Sequence, residues 1–303
     1  MDSVEPVGAS VTVVDEPSVL GGGPSLHGRS EIVVARVDNL ADAPDCCDVG
    51  VTSDDEIDAI AETVAANPVA SLALVELLRC APDLSVAAGL LAESATYGAL
   101  QASAEFRRWR DAHLARPIPP SIDPVLVVRD GGELRLTLNR PERRNALDRA
   151  MRDALAELLD VALQDRSVTS VVIDGSGRSF CSGGDVDEFG SFPDPGVAHL
   201  VRLERSLGRM LAELADRTTV RLQGACIGSG IELAAFARQV TVAPDVSIGL
   251  PEISMGLVPG AGGTVSLPRR IGRHRTAWLA LTGRRIDATT ALRWGLADSS
   301  TET

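Results

Sequence analysis

Glu232 and Glu252 are the residues of this chain best placed to do chemistry, because each sits on a short element bounded by glycine. Gly228-Ser229-Gly230 runs directly into the apolar stretch Ile231, Leu233, Ala234, Ala235 and Phe236, which reads as a buried helix with Glu232 in its first turn. First-turn amides have no partner inside a helix and face whatever lies beyond Gly228, so this end offers donors to a developing negative charge. Glu252 follows Pro251, and the loop after it carries glycines at 260, 262 and 263. Such a run suits neither a regular helix nor a central strand, so it predicts a tight loop with Glu252 at the wall of a pocket. Paired carboxylates beside free amides can move protons while an oxyanion is held.

A second glycine-rich turn, Phe180-Cys181-Ser182-Gly183-Gly184-Asp185, lies between a strand and a helix start, where the amides of Ser182 and Gly183 are further donors. Structural readings stand beside these. Ser229-Gly230-Ile231-Glu232 fits a capping box, in which Glu232 folds back onto the Ser229 amide and occupies it. Glu252 fits a first-turn partner of a helix dipole, Asp185 and Glu188 fit a helix start, and Arg143 and Arg144 fit solvated charges. No histidine accompanies Cys181 or Cys226, which argues against a thiolate nucleophile. Histidines 27, 113, 199 and 274 lack metal-ligand spacing, so no metal site is expected. Gly175-Ser176-Gly177 lacks the third glycine of a dinucleotide loop.

The elements that must position these groups fall into three segments. Residues 1–54 are acidic and loop-rich, broken by Gly21-Gly22-Gly23-Pro24, with one strand expected over Ile32–Val37. Residues 55–122 hold four amphipathic helical runs punctuated by Pro68 and Pro82, read as a small bundle or arm, and end in the linker RPIPPSIDP. Residues 123–303 open with a hairpin, Val125–Arg129 and Glu133–Asn139 around Asp130-Gly131-Gly132. A helix over Asp148–Gln164, a strand over Val168–Asp174, a helix from Val197 to Leu214 and a strand over Thr218–Leu222 follow. That alternation predicts a layered α/β domain with largely parallel pairing.

The net charge is −13, and the excess lies wholly ahead of residue 125, with 20 acidic and 7 basic residues up to 124 and 22 of each after it. This argues against nucleic-acid binding. No run of 18 apolar residues and no signal-peptide pattern at MDSVEPVGAS is present, so no membrane insertion and a cytoplasmic location are expected. The five cysteines, 46, 47, 80, 181 and 226, form no CxxC pair and read as reduced thiols.

Four stretches in order, Asn139-Arg-Pro-Glu-Arg-Arg-Asn-Ala-Leu147, Phe180–Asp185, Gly224–Leu233 and Pro251–Thr264, resemble the enoyl-CoA hydratase/isomerase (crotonase) family from about Val125 to Ala297. The resemblance implies a crotonase-like spiral of ββα units, preceded here by an α-helical N-terminal segment. It implies an acyl-CoA thioester substrate with no cofactor beyond that coenzyme A. It sets the amides of Ser182 and Ser229 around the thioester oxygen, Glu232 as the base that draws a proton from water and Glu252 as the acid that protonates the α-carbon. Arg143, Arg144 and Ala146, with Gly183, Gly184, Asp185 and Gly228, fall beside the coenzyme and its thioester. The activity expected is enoyl-CoA hydration, syn addition of water to a 2-enoyl-CoA. Alternatives are isomerisation, thioester hydrolysis, cofactor-free oxygenation, or a catalytically silent partner subunit. Family members form trimers or hexamers through a helical part beyond the position of Ala297, where this chain has only Asp298–Thr303. The helices of residues 55–115, like those of extended members, are expected to replace part of that cover.

Overall fold

The computed structural model describes residues 8–15, 28–119, 121–192 and 194–301. The breaker at Gly21–Pro24 lies outside the described residues. A parallel sheet comes first, formed by β1 (Ser10–Val14), β2 (Glu31–Arg36) and β3 (Val49–Val51). β2 is the strand expected from sequence, whereas β1 and β3 stand where loop was expected. β1 is half exposed and β3 has three residues, too few for periodicity to register.

The four helices α1 (Asp54–Ala66), α2 (Pro68–Cys80), α3 (Val86–Gln101) and α4 (Ala104–Ala112) follow. Pro68 opens α2, where an amide would have no partner anyway, and Ser85 and Ser103 cap α3 and α4 by accepting from Ala88 N and Phe106 N. Glu105 of α4 accepts from Val69 N at 2.8 Å and Ala70 N at 3.0 Å, satisfying the start of α2. A buried ion pair, Arg79 Nη2 to Asp48 Oδ2 at 2.7 Å, ties α2 to the loop before β3.

The main sheet runs in the order β11 (Ser299–Ser300), β9 (Gln239–Val242), β7 (Thr218–Leu222), β6 (Ser170–Gly175), β5 (Glu133–Leu138) and β4 (Val125–Asp130). The hairpin β4 (Val125–Asp130) and β5 (Glu133–Leu138) is antiparallel, and α5 (Arg149–Gln164), capped by Asp148 on Met151 N at 2.9 Å, returns the chain to β6 (Ser170–Gly175), parallel to β5. The single helix expected over Val197–Leu214 is two, α6 (Pro195–Glu204) and α7 (Leu207–Glu213), because Ser206 caps a new start by accepting from Arg209 N at 3.2 Å. β7 (Thr218–Leu222) rejoins the sheet, and β8 (Ala225–Ile227) leaves it for a separate pair that leads into α8 (Ser229–Ala234). β9 (Gln239–Val242) is parallel to β7, and β10 (Ser247–Gly249) is the partner of β8. α9 (Gly263–Ile271), α10 (Arg273–Thr282), α11 (Ala288–Trp294) and β11 (Ser299–Ser300) complete the chain.

The N-terminal helices are not a free-standing bundle. α1 and α2 pack on α10, α3 packs on α6 and α9, and one buried apolar cluster runs from Ile32 through Leu74 and Phe106 to Ala297. α3 thereby covers the loop ahead of α9.

Candidate active site

The parallel register of two short strands brings the glutamates together. Ile227 of β8 pairs with Gly249 of β10, and Gly228 N donates to Gly249 O at 3.0 Å, so both chains leave the pair at the same level. Beyond it one chain enters α8 and the other a 3-10 turn, Glu252–Met255. Gly228 turns with φ +51°, and a β-carbon there would lie 2.3 Å from Glu252 Oε1 and 3.8 Å from Glu232 Oε1. Only glycine leaves room for both side chains.

The two carboxyls are buried in different surroundings. Glu232 Oε2 accepts from Ala261 N at 2.7 Å and Gly263 N at 3.0 Å. The capping-box reading is thereby overturned: the carboxylate reaches forward to another loop, and α8 has no side-chain cap. Glu252 Oε2 is buried and has no hydrogen-bond partner among the described residues. Burial pushes Glu252 up to about 8, with the nearby charge of Glu93 adding to it. Burial and then the neighbours Glu252 and Glu93 push Glu232 up as well, against its two amide donors. Each of these buried carboxyls raises the cost of charging the others.

The second glycine-rich turn runs beside β8. Cys181 and Cys226 form a parallel bridge, with Cys181 N donating to Ala225 O and Ile227 N to Cys181 O. Three residues further along each chain stand Gly184 and Ser229. Both line one cavity of about 220 Å³ together with Glu232 and Glu252. Leu147 bridges Gly184 by donating to Gly183 O and accepting from Asp185 N, which leaves the Gly184 amide facing away from Leu147. Neither the Gly184 amide nor the Ser229 amide has an acceptor among the described residues.

This corrects the expected donor at Ser182. Its amide donates to Arg144 O at 3.0 Å and is spent, and the residue does not line the cavity. Strict alternation would point the amides of Ser182 and Gly184 the same way; the turn at Gly183, φ +99°, breaks it, so Ser182 and Asp185 both donate to the Arg144–Leu147 segment and Gly184 faces away. α8 is also only six residues long, so Ser229 offers a local amide rather than a long helix dipole.

The expected coenzyme residues separate. Arg143 Nη2 donates to Asp185 Oδ1 at 2.7 Å and Asp187 Oδ2 at 2.6 Å, so it is neither solvated nor free. Asp185 also accepts from the buried Arg140, which donates to Ala146 O at 2.6 Å and pairs with Asp148 at 3.1 Å. The Asp185 carboxylate, whose residue lines the cavity, is thereby tied to the framework, and Ala146 is buried with its carbonyl held by Arg140. Arg144 is exposed, with φ +52° and no ion pair among the described residues. Gly183 turns with φ +99° against Ile227 O. Asp187 is bound by Arg143 and by His113 Nε2 at 2.9 Å, and these partners outweigh the cost of burial to hold its carboxyl well below the usual range.

Residues that sequence reasoning passed over lie on α3. Glu93 is buried and accepts from Gly262 N at 2.6 Å, Thr264 N at 2.9 Å and Thr264 Oγ1 at 2.7 Å. Tyr97 lies against Gly260, and Tyr97 and Gln101 line the cavity. Arg202 of α6 sits 5.0 Å from the Tyr97 ring centre and donates to Ser94 and Gln101. The available signal was the spacing of Glu93, Tyr97 and Gln101, four residues apart on one face of an otherwise apolar helix. Among the described residues no cluster of His, Cys, Asp and Glu could hold a metal ion, and no single helix is long and apolar enough to cross a membrane.

Fold and site together define an α/β protein of the crotonase-like class, with two unpartnered main-chain amides and paired buried glutamates on one cavity. The sequence pattern of the enoyl-CoA hydratase/isomerase family matches residues 134–303, and the chain belongs to that family. It is 36% identical over 170 residues to the 1,2-epoxyphenylacetyl-CoA isomerase of Escherichia coli K12, covering 54% of this chain and 64% of that protein. It is 34% identical over 183 residues to the 2,3-dehydroadipyl-CoA hydratase of the same organism, covering 57% and 67%. The chain thus spans just under two thirds of the isomerase's length. Among solved structures, the enoyl-CoA hydratase of Thermoplasma volcanium GSS1 superposes with a TM-score of 0.54 at 34% identity, covering 59% of this chain and 72% of that one. That of Bacillus anthracis gives 0.54 at 30% identity, covering 59% and 70%.

Proposed function

We propose that the chain hydrates a 2-enoyl-CoA thioester by syn addition of water. The observation that carries this reading is the asymmetry of the two glutamates beside two free amides. Burial pushes both carboxyls up; the two main-chain donors on Glu232 favour its charged form and the unpartnered oxygen of Glu252 its protonated form, which makes Glu232 the base and Glu252 the acid. The thioester oxygen sits between the amides of Gly184 and Ser229. Glu232 takes a proton from water as its oxygen bonds to the β-carbon, the C=C electrons move onto the thioester oxygen as an enolate, and Glu252 protonates the α-carbon. Each amide donor contributes about 3 to 4 kcal/mol to holding that oxyanion. Of the two arginines expected beside the coenzyme, Arg144 is the exposed one and our candidate for its phosphates, and no cofactor beyond coenzyme A is required.

A second reading is isomerisation, favoured by the aromatic lining of the cavity at Tyr97, Phe189 and Phe192, which suits an aryl-bearing acyl group. An isomerase can carry the proton out and back with one carboxylate. The deciding experiment follows the conjugated absorbance of crotonyl-CoA with the parent, Glu232→Gln and Glu252→Gln proteins. Hydration requires that each substitution lower kcat by about 10² to 10⁴. Unchanged turnover in either variant, or none in the parent, sinks the hydratase reading.

A further inference from the structure

The site's second loop is held from two sides by two buried carboxylates. Successive amides of residues 261–264 go alternately to Glu232 of α8 and to Glu93 of α3: Ala261 and Gly263 to the first, Gly262 and Thr264 to the second. The Thr264 hydroxyl gives Glu93 a third donor. Gly262 has φ +106°, and a β-carbon on Gly263 would lie 2.6 Å from Glu232 Cγ, so the loop passes closely between the two side chains. One face of α3 lies along it: Gly89 against Val265, Leu90 against Gly262, Glu93 on Gly262 and Thr264, and Tyr97 on Gly260. Residues 86–101 lie outside the span matched by the family, so this support comes from the N-terminal segment.

We propose that Glu93 is a positioning residue of the active site: by fixing the amides of Gly262 and Thr264 it orients those of Ala261 and Gly263, and through them the carboxylate of Glu232. The proposal rests on the reading of Glu232 as the base. Gly262 turns with φ +106° into the first turn of α9, and consecutive planar peptide units share an α-carbon, so a unit that rotates off one carboxylate carries its neighbour with it. The charged and titratable groups facing Glu93 are Arg202 from α6, Glu232 from α8, Glu252 from the 3-10 turn and Tyr97 from its own helix. Removing its charge therefore also moves the protonation of Glu232.

The test compares the full chain with Glu93→Gln in two measurements. A glutamine turns its amide group toward at least one of three donors and cannot accept from all of them. Amide hydrogen exchange resolved by NMR is expected to speed up by about tenfold or more at all four of residues 261–264. Ala261 and Gly263 are decisive, because Glu93 does not touch them; if they keep their protection while Gly262 and Thr264 lose theirs, the proposal is overturned. With an enoyl-CoA that the parent turns over, kcat is expected to fall by about 10- to 100-fold with KM within threefold, and the acidic limb of its pH profile to move. A merely structural role would lower the denaturation midpoint and leave the profile of the folded enzyme in place, which also overturns the proposal. Thr264→Val, which deletes one donor, gives the same pattern in smaller measure and serves if Glu93→Gln does not fold. If the parent hydrates nothing, the hydratase reading falls by itself and the exchange at Ala261 and Gly263 still decides the positioning.

Discussion

Replacing Glu252 by glutamine should make the protein more stable at alkaline pH while disabling it. In the folded chain burial keeps the proton on Glu252 up to about 8, against an ordinary value of 4.5. Between those limits the unfolded chain has released a proton that the folded chain retains, so the unfolded state binds fewer protons and stability falls as pH rises. The contribution is fully present below pH 4.5 and lost on passing through 8. Each pH unit in that window corresponds to about 1.4 kcal/mol, so the parent loses about 4 kcal/mol through this group between pH 5 and pH 8. Glutamine does not titrate and keeps the shape. Its amide inherits the position of an oxygen that has no partner, a pH-independent cost of about 1 to 3 kcal/mol. Urea unfolding of parent and Glu252→Gln at pH 5, 6.5 and 8, at constant ionic strength, reads the titration of Glu252 together with its coupling to Glu232 in the difference between them. The variant should be the less stable or equal at pH 5 and the more stable at pH 8. A difference that stays flat across the three pH values refutes the buried, partnerless carboxyl on which the acid role rests.

Two further substitutions probe the frame. Gly228→Ala adds a β-carbon 2.3 Å from Glu252 Oε1 at φ +51°, whereas Gly131→Ala adds one at φ +54° with nothing within 4 Å. The second should cost about 1 kcal/mol from backbone strain alone and the first at least about 2 kcal/mol more, read from urea midpoints. Asp187→Asn removes a partner shared by Arg143 and His113 and should cost about 3 kcal/mol at pH 7. Because the Asp187 carboxyl is held below its ordinary 3.8, that contribution is present above this value and shrinks as pH falls through it, so the gap between parent and variant should narrow in acid.

The alternation of apolar runs, glycines and prolines was enough to place the hairpin β4–β5, the strand β7 and the four N-terminal helices, because each is set by contacts close in sequence. Glu232 and Glu252 were legible for the same reason, as carboxylates on glycine-bounded turns, and the order of four motifs pointed to the family. Other features depend on direction rather than on residue type. The sequence offered the amides of Ser182 and Gly183 as donors, and only the bridges to Cys226 and Leu147 show that Ser182 is spent and that the free amide is that of Gly184. Arg143 and Arg144 read alike, yet Asp185 and Asp187, distant in sequence, claim the first and leave the second exposed. Glu93 was lost in an apolar helix because its partners, Gly262 and Thr264, lie far along the chain. Local residue choice settled which elements form and which side chains could react. Whether a given amide or carboxyl is free to act was decided by long-range packing, since each polar group inside the fold must find its partner wherever the chain returns.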